Sequence, residues 1–179
     1  MSSKNIITLS SASIASQFIT ILGTLITARL FLPDDFGQLA FFFSLITLLT
    51  ILGTLEYHRV ISITEKDENS FIALNLVAKL LFFFGLFLLI ILFFFDQFLI
   101  GFIGNKINYY WLYLLPVTLF ASASFQSFSL LLNRFSLYKE LAISRVFLAF
   151  VVVLLNVAFG IYAVEGGLIF GTTVGTFLA

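Results

Sequence analysis

The chain contains no cysteine and only one histidine, and its 179 residues include nine acidic and nine basic side chains. Without cysteine there is no disulfide framework and no thiolate metal site, and one histidine cannot form an imidazole site alone. The formal net charge is zero, which gives no support to a nucleic-acid partner. We therefore expect no metal site, no cofactor and no nucleic-acid binding.

The sequence also lacks the motifs of common catalytic sites. It has no HExxH metalloprotease motif, no Walker A phosphate loop and no GxSxG nucleophile elbow. The acidic residues around 65–68 alternate with Lys66, which we interpret as a solvated loop. A membrane-embedded glycan polymerase would need large extramembrane loops with polar catalytic groups, and these are missing too. We expect a protein that is not an enzyme and has no catalytic residue.

Hydrophobic residues are what the sequence has in excess. They make up 61% of the chain against 10% charged residues, and the mean hydropathy is +1.14, whereas a soluble domain averages about 45–50% apolar and about 25% charged residues. A membrane-spanning helix needs about 20 mostly apolar residues. Apolar stretches of this kind recur, the last one shortened, at residues 7–31, 36–56, 71–95, 109–132, 141–164 and 166–179.

These stretches predict an all-α, polytopic transmembrane bundle. Strands of a membrane barrel would alternate apolar and polar residues, but the run Phe82–Phe84 leaves no polar face. We therefore predict one six-helix lobe over residues 1–179, with five complete spans and a truncated sixth. Either the chain is a fragment or its last helix is stunted.

The breaks between the spans are visible in the sequence. Pro33 is predicted to end the first helix, and the aspartates after it can cap the next one. A polar loop is predicted for residues 58–70, a glycine-containing loop for 96–108 and a short basic loop for 133–140.

The distribution of basic residues predicts the orientation. With the N-terminus in the cytoplasm, the outer side keeps only Arg29 and Lys106, and the positive-inside rule is satisfied. The cytoplasmic side then collects Lys4, Arg59, Lys66, Lys79, Arg134, Lys139 and Arg145. Amphipathic rings would anchor the outer interface at Tyr109, Tyr110, Trp111 and Tyr113. The long first segment, with its many Ser and Thr residues, does not resemble a cleaved signal peptide.

Polar residues inside the spans recur at helical spacing. The first helix carries Ser10, Ser13, Gln17, Thr20, Thr24 and Thr27, and the fourth carries Ser122, Gln126, Ser129 and Asn133. Steps of three and four place each set on one face of its helix. Such stripes either let helices pack closely and hydrogen-bond to each other, or line a hydrated cavity for a polar cargo. We favour the cavity for Gln17 and Gln126, which are bulkier and more costly to bury unpaired.

Basic residues near the helix ends have two interpretations. Arg29, Lys79 and Arg145 could extend to the interface as anchors, or point inward and pair with phosphate, for which an arginine fork is well suited. Glu56 and Arg59 are three residues apart and could pair with each other. The candidates for the lining of a substrate cavity are Gln17, Arg29, Arg59, Lys79, Gln126, Arg134 and Arg145. Small residues at Gly167, Gly171 and Gly175 indicate close helix packing.

Several segments together resemble the oligosaccharide flippases of bacterial polysaccharide biosynthesis, in the multidrug/oligosaccharidyl-lipid/polysaccharide exporter superfamily. The stretch from Thr27 to Gly37 is similar to the loop after their first helix. The other matching segments follow in the family's order and spacing: Leu114-Leu115-Pro116, Phe125-Gln126, Asn133-Arg134-Phe135 with Tyr138, Ala142 and Ser144, and Gly166-Gly167-Leu168-Ile169 with Gly171. The chain is more similar to O-antigen translocases than to drug exporters.

The resemblance implies a transporter that carries an undecaprenyl-diphosphate-linked oligosaccharide across the bacterial inner membrane, for O-antigen or polysaccharide synthesis. The transport site would be a cavity between two lobes, lined by cationic groups. By position, Arg29 and Arg134 match the arginines of the family's first-loop motif and of its basic loop. A coupling acid cannot be carried over, because no carboxylate falls clearly in the middle of a helix.

The length of the chain leaves alternatives open. Family proteins carry about twelve helices or more, in two lobes, so this chain resembles the N-terminal lobe alone. A C-terminal lobe or a second copy in parallel orientation would complete the cavity. The alternatives to a flippase are a non-transporting membrane fragment or interaction subunit, and a drug or lipid exporter of the same superfamily.

Overall fold

A computed structural model describes residues 3–64, 67–95, 101 and 109–178. Within these ranges the chain forms seven α-helices and no strand, so the predicted all-α class is confirmed. The helices are α1 Ser3–Thr27, α2 Pro33–Thr54, α3 Val60–Ile63, α4 Asp67–Phe94, α5 Leu115–Arg134, α6 Tyr138–Ile161 and α7 Gly167–Leu178. Two 3₁₀ turns, Tyr57–Arg59 and Tyr109–Leu114, precede α3 and α5.

In the described part of the chain, five helical segments are long and apolar enough to cross a membrane. They are Ile7–Thr27, Pro33–Thr54, Asp67–Phe94, Tyr110–Arg134 and Tyr138–Ile161, and the shorter α7 follows them. Their outward surfaces expose many large apolar side chains, such as Phe83 at 66% and Phe94 at 72%. A surface of this kind needs lipid around it, so the protein is a multi-pass membrane protein.

The first helix ends earlier than the sequence suggested. α1 stops at Thr27 and residues 28–31 form a turn, so the prediction that Pro33 terminates this helix was wrong. Pro33 instead begins α2, where its missing N–H costs nothing because the first helical N–H groups have no partner in any case. The Asp35 carboxylate accepts the Leu32 N–H at 2.9 Å, which provides the expected aspartate cap.

The predicted polar loop at 58–70 is shorter than expected, because most of it is helical. The 3₁₀ turn and α3 occupy its first half, and α4 already begins at Asp67. The Thr64 and Ser70 hydroxyls lie 2.8 Å apart, and the Ser70 hydroxyl donates to the Ile61 carbonyl at 3.2 Å. Of the predicted loop at 96–108 only residue 101 is described. Lys106 in this loop and Lys66 in the preceding connection lie outside the described residues.

The hydrophobic core lies between α2, α4 and α5. It contains Phe42, Val77, Leu81 and Leu119, and α7 adds Ile169 from the side. The hydroxyls of Thr118 in α5 and Thr173 in α7 lie 2.8 Å apart and join these two helices. This core fixes α7 as a wall against which α6 can pack.

The remaining helices form a second group, in which α6 packs between α1 and α7. The helix α1 runs parallel to α6, since Gly23 lies against Val153 and Gly160 lies against Leu30 and Phe31. The glycines of α7 meet α6 closely: a Cβ at Gly171 would lie 2.3 Å from the Asn156 Oδ1 atom and one at Gly175 would lie 2.7 Å from Val152. The small residues of α7 therefore serve close packing, as their spacing indicated.

Gly166 lies at the end of the bundle where α7 begins, and its φ is +65°. It packs against the Trp111 ring, and a Cβ added at Gly166 would lie only 2.1 Å from that ring. Glycine is the residue that adopts this backbone conformation without steric cost and leaves room for the indole.

Candidate functional site

An open groove of about 800 Å³ lies between α1, α6 and α7. One wall is the polar stripe of α1, and the opposite walls come from α6 and α7. Its polar lining consists of Ser13, Ser16, Gln17, Thr20, Thr24, Thr27, Arg145, Asn156, Thr172 and Thr176. The groove exists because α1 packs against one side of α6 only and leaves its polar face uncovered.

The polar stripe on α1 faces this groove, and most of it is not buried against another helix. Thr27 is buried at 5% exposure, but Gln17, Thr20 and Thr24 are exposed. The Thr20 and Thr24 hydroxyls donate to the carbonyls of the preceding turn at 2.9 and 2.8 Å, so their protons are satisfied within the helix. Each hydroxyl oxygen still presents acceptor lone pairs to the groove.

Arg145 joins this groove to a smaller one. The smaller groove, of about 340 Å³, is lined by His58, Arg59, Phe125, Gln126, Ser129, Leu130 and Arg145. Because Arg145 lines both, the two grooves adjoin at this side chain and together make a track with a partly polar lining. We call this track the polar groove. It brings together four of the residues singled out from the sequence, namely Gln17, Arg59, Gln126 and Arg145.

The two arginines of the polar groove differ in charge compensation. Arg59 forms the expected salt bridge with Glu56. Arg145 is exposed and makes no salt bridge within the described part of the chain. A guanidinium offers five N–H donors in a planar fork, so Arg145 presents an uncompensated cation with free donors to the groove.

The sequence reasoning missed Asn156, which lies far along the groove from Arg145. Asn156 is only 9% exposed, and its Oδ1 atom has no hydrogen-bond partner among the described residues. The signal that could have identified it is a lone amide within the apolar run of α6, because an isolated polar group in a membrane-spanning helix is costly to retain.

Arg134 lies outside the polar groove and joins two connections of the bundle. Its side chain is 12% exposed and forms a salt bridge with Asp67 at 3.1 Å. It also donates to the Ile61 carbonyl at 3.3 Å, to the Thr64 hydroxyl at 3.1 Å and to the Thr64 carbonyl. These bonds occupy most of the guanidinium.

Arg29 and Lys79 also lie outside the groove lining. Arg29 is exposed in the turn after α1, beyond the helix in which it was expected. Lys79 lies deeper than expected, about 18 Å along α4 from its first residue at 1.5 Å per residue. It is exposed on the face opposite the buried Val77 and Leu81.

A model of the family described as polysaccharide biosynthesis protein matches residues 26–178, which is most of the chain. No curated protein and no solved structure matches the chain significantly. The family match agrees with the resemblance found in the sequence motifs, and it includes α2 to α7 and the end of α1.

Proposed function

Because this chain belongs to the polysaccharide biosynthesis protein family, we propose that it forms one lobe of a transporter for an undecaprenyl-diphosphate-linked oligosaccharide. The cargo moves from the cytoplasmic to the outer leaflet of the bacterial inner membrane, for O-antigen or polysaccharide synthesis. The chain moves its cargo without covalent chemistry.

The observation that carries this proposal is the polar groove with its uncompensated Arg145. A charged side chain at the centre of a bilayer costs about 2.5–3.5 kcal/mol on the insertion scale. The cost is smaller nearer a helix end, where a long side chain can extend to the interface, and a place beside water or a ligand lowers it further. Arg145 lies about 10 Å along α6 from its first residue at 1.5 Å per residue, within the wall of a groove that hydroxyl and amide groups line.

The chemistry of the groove suits the two polar parts of this cargo. The planar fork of Arg145 can bind two oxygens of a diphosphate at once. The hydroxyl stripe of α1 and the amides of Gln17 and Gln126 can exchange hydrogen bonds with sugar hydroxyls. The bilayer holds the isoprenoid chain of the lipid.

A second lobe completes the cavity under this proposal. The α1 wall of the groove is mostly uncovered, since only Gly23 and Thr27 of the spanning segment Ile7–Thr27 are buried. Parallel repeats related by an axis along the membrane normal are a known transporter architecture. A C-terminal lobe or a second copy of this chain, facing α1, would close the groove and allow alternating access.

The test replaces the native gene with an Arg145→Ala variant in cells that depend on it for surface glycan. We expect surface glycan to fall at least tenfold, because charge-assisted hydrogen bonds are worth about 1.5–3 kcal/mol and tenfold corresponds to about 1.4 kcal/mol. Lipid-linked oligosaccharide should accumulate in the cytoplasmic leaflet. Arg145→Lys should recover part of the export.

The matched control is Glu140→Gln, which changes one exposed charge on the same helix outside the groove and should leave export unchanged. Normal export by Arg145→Ala at equal membrane abundance would overturn the proposal. Normal glycan display after deletion of the gene would indicate the non-transporting alternative. Increased drug sensitivity without loss of glycan would indicate a drug exporter.

A further inference from the structure

We propose that a second groove, on the opposite side of the α1–α6 contact, binds an anionic phospholipid of the bilayer, with one acyl chain in the groove and the phosphate on Lys139. This groove has a volume of about 680 Å³. We call it the lipid groove. Its lining is Thr8, Ser11, Ala12, Ala15, Ile19, Lys139, Ala142, Ile143, Val146, Phe147 and Phe150.

The position of the lipid groove separates it from the polar groove. At 3.6 residues per turn, the α1 positions that line the two grooves lie about 130° apart around the helix axis, and the α6 positions are separated by a similar angle. The two grooves share no lining residue. A ligand in the lipid groove is therefore held independently of a cargo on Arg145.

The shape and chemistry of the lipid groove fit a hydrocarbon chain. Alanines at positions 12, 15 and 142 form a low floor between α1 and α6, and Ile143, Phe147 and Phe150 line it with half-exposed apolar side chains. The groove is formed by two helices, so it has no exposed strand with which a peptide could form backbone hydrogen bonds. The bilayer around an acyl chain is already apolar, so a chain in this groove gains from van der Waals packing against the groove walls.

Lys139 places a positive charge at one end of this apolar lining. It lies in the first turn of α6, is exposed, and makes no salt bridge within the described part of the chain. Glu140 points about 100° away around the helix and does not line the groove. An apolar trough that ends in one unpaired ammonium matches a lipid with an acyl chain and an anionic headgroup.

A bilayer phospholipid fits this position better than the isoprenoid tail of the cargo. A diphosphate bound at Arg145 would lie on the other side of the α1–α6 contact, so its tail would have to pass around a helix to enter the lipid groove. A phospholipid brings its own phosphate to Lys139 and needs no such path.

The experiment uses the whole chain in phosphatidylcholine vesicles that contain a trace of spin-labelled phosphatidylglycerol or spin-labelled phosphatidylcholine. Electron paramagnetic resonance separates lipid held at the protein from bulk lipid. We expect about a fivefold preference for phosphatidylglycerol, the factor that one lysine near a membrane surface contributes. Lys139→Ala should remove this preference, and Ala15→Phe, which fills the floor, should reduce the held fraction of both labels.

Lys79→Ala is the matched control, because it removes another exposed lysine on a different helix, and it should retain the preference. An unchanged preference in Lys139→Ala would overturn the proposal. Displacement of the label by undecaprenyl phosphate but not by unlabelled phosphatidylglycerol would assign the groove to the cargo tail and overturn it as well. Because the readout is lipid binding, failure here would leave the export test of Arg145 unaffected.

Discussion

At the scale of single residues, partners decide what an arginine does. Arg134 and Arg145 belong to consecutive helices and were candidates for the same role. Arg134 is surrounded by the carbonyls at the end of α3 and by Asp67, and it stabilises a connection. Arg145 has no such partners among the described residues and presents its charge to the polar groove. In the sequence, both are basic residues near helix ends. Their roles differ only because α3 packs beside α5 and supplies partners to Arg134.

Replacing Arg134 tests its structural role. We expect Arg134→Ala to lower the free energy of unfolding in detergent by about 1–3 kcal/mol, because the carbonyls of Ile61 and Thr64 lose a charged donor. Asp67→Asn should cost less than about 1 kcal/mol, since this carboxylate is 68% exposed and solvent screens the pair. The measurement is a denaturant titration followed by tryptophan fluorescence. Equal stability of Arg134→Ala and the unmodified chain would contradict this role.

At the scale of the elements, α1 differs from the other helices because only a narrow seam of it is packed. That seam contains Gly23 against Val153 and the buried Thr27. One flank of the seam carries the hydroxyl stripe and the other carries alanines. The remaining face presents Ile14, Phe18 and Leu25 outward. A single helix thus contributes to a polar groove, an apolar groove and a lipid-facing surface.

Cysteine substitution along α1 tests this division, and the chain offers a clean background because it has no cysteine. We expect Gln17→Cys, Thr20→Cys and Thr24→Cys to react with a small aqueous thiol reagent in reconstituted protein, because a groove with this polar lining should admit water. The matched positions Phe18→Cys and Leu25→Cys face hydrocarbon and should react at least tenfold more slowly. Mass spectrometry of the labelled chain measures the rates. A reactivity that rises smoothly from one end of α1 to the other, with no helical period, would contradict a polar groove.

At the scale of the whole molecule, the connections assign most ends of the long helices to one of two sides. The start of α1, the end of α2, the starts of α4 and α6 and the end of α5 lie together, as the contact of Arg134 with Asp67 shows for two of them. The turn after α1 and the junction between α6 and α7 lie at the other end, where Gly166 meets Trp111. The basic residues Arg59, Arg134 and Lys139 collect at the first of these ends.

The positive-inside rule predicts that this basic end faces the cytoplasm. We therefore expect Tyr110→Cys, which is 75% exposed at the opposite end, to be labelled by a membrane-impermeant thiol reagent added to intact spheroplasts. Ser62→Cys, exposed at the basic end, should be labelled only after the membrane is opened. The reverse pattern would show an inverted topology. The basic end of the bundle would then face away from the cytoplasm, and a cytoplasmic cargo could not enter the polar groove from that end.

The sequence by itself determined the class of the protein and the presence of the five long apolar helices found among the described residues. Runs of about 20 apolar residues have no stable place outside a bilayer, and in a bilayer the backbone satisfies its hydrogen bonds by forming helices. Helical spacing also identified the stripe on α1, and the motif order indicated the family that the match to residues 26–178 shows. These features are local, so one stretch of chain is enough to reveal them.

Only the tertiary structure decided which polar residues meet. Gln17, Gln126, Arg59 and Arg145 come from four separate segments. They line adjoining grooves because α6 packs against both α1 and α5, and its Arg145 faces the stripe of α1 as well as Arg59 and Gln126. The packing of α4 in the core leaves Lys79 outward, and the packing of α3 beside α5 engages Arg134 with backbone carbonyls. The contact of α6 with α7 buries Asn156 against Gly171. The helical period predicts on which face of its own helix a residue lies. Which helix covers that face depends on contacts between segments that are distant in sequence, and a local pattern contains no information about such contacts.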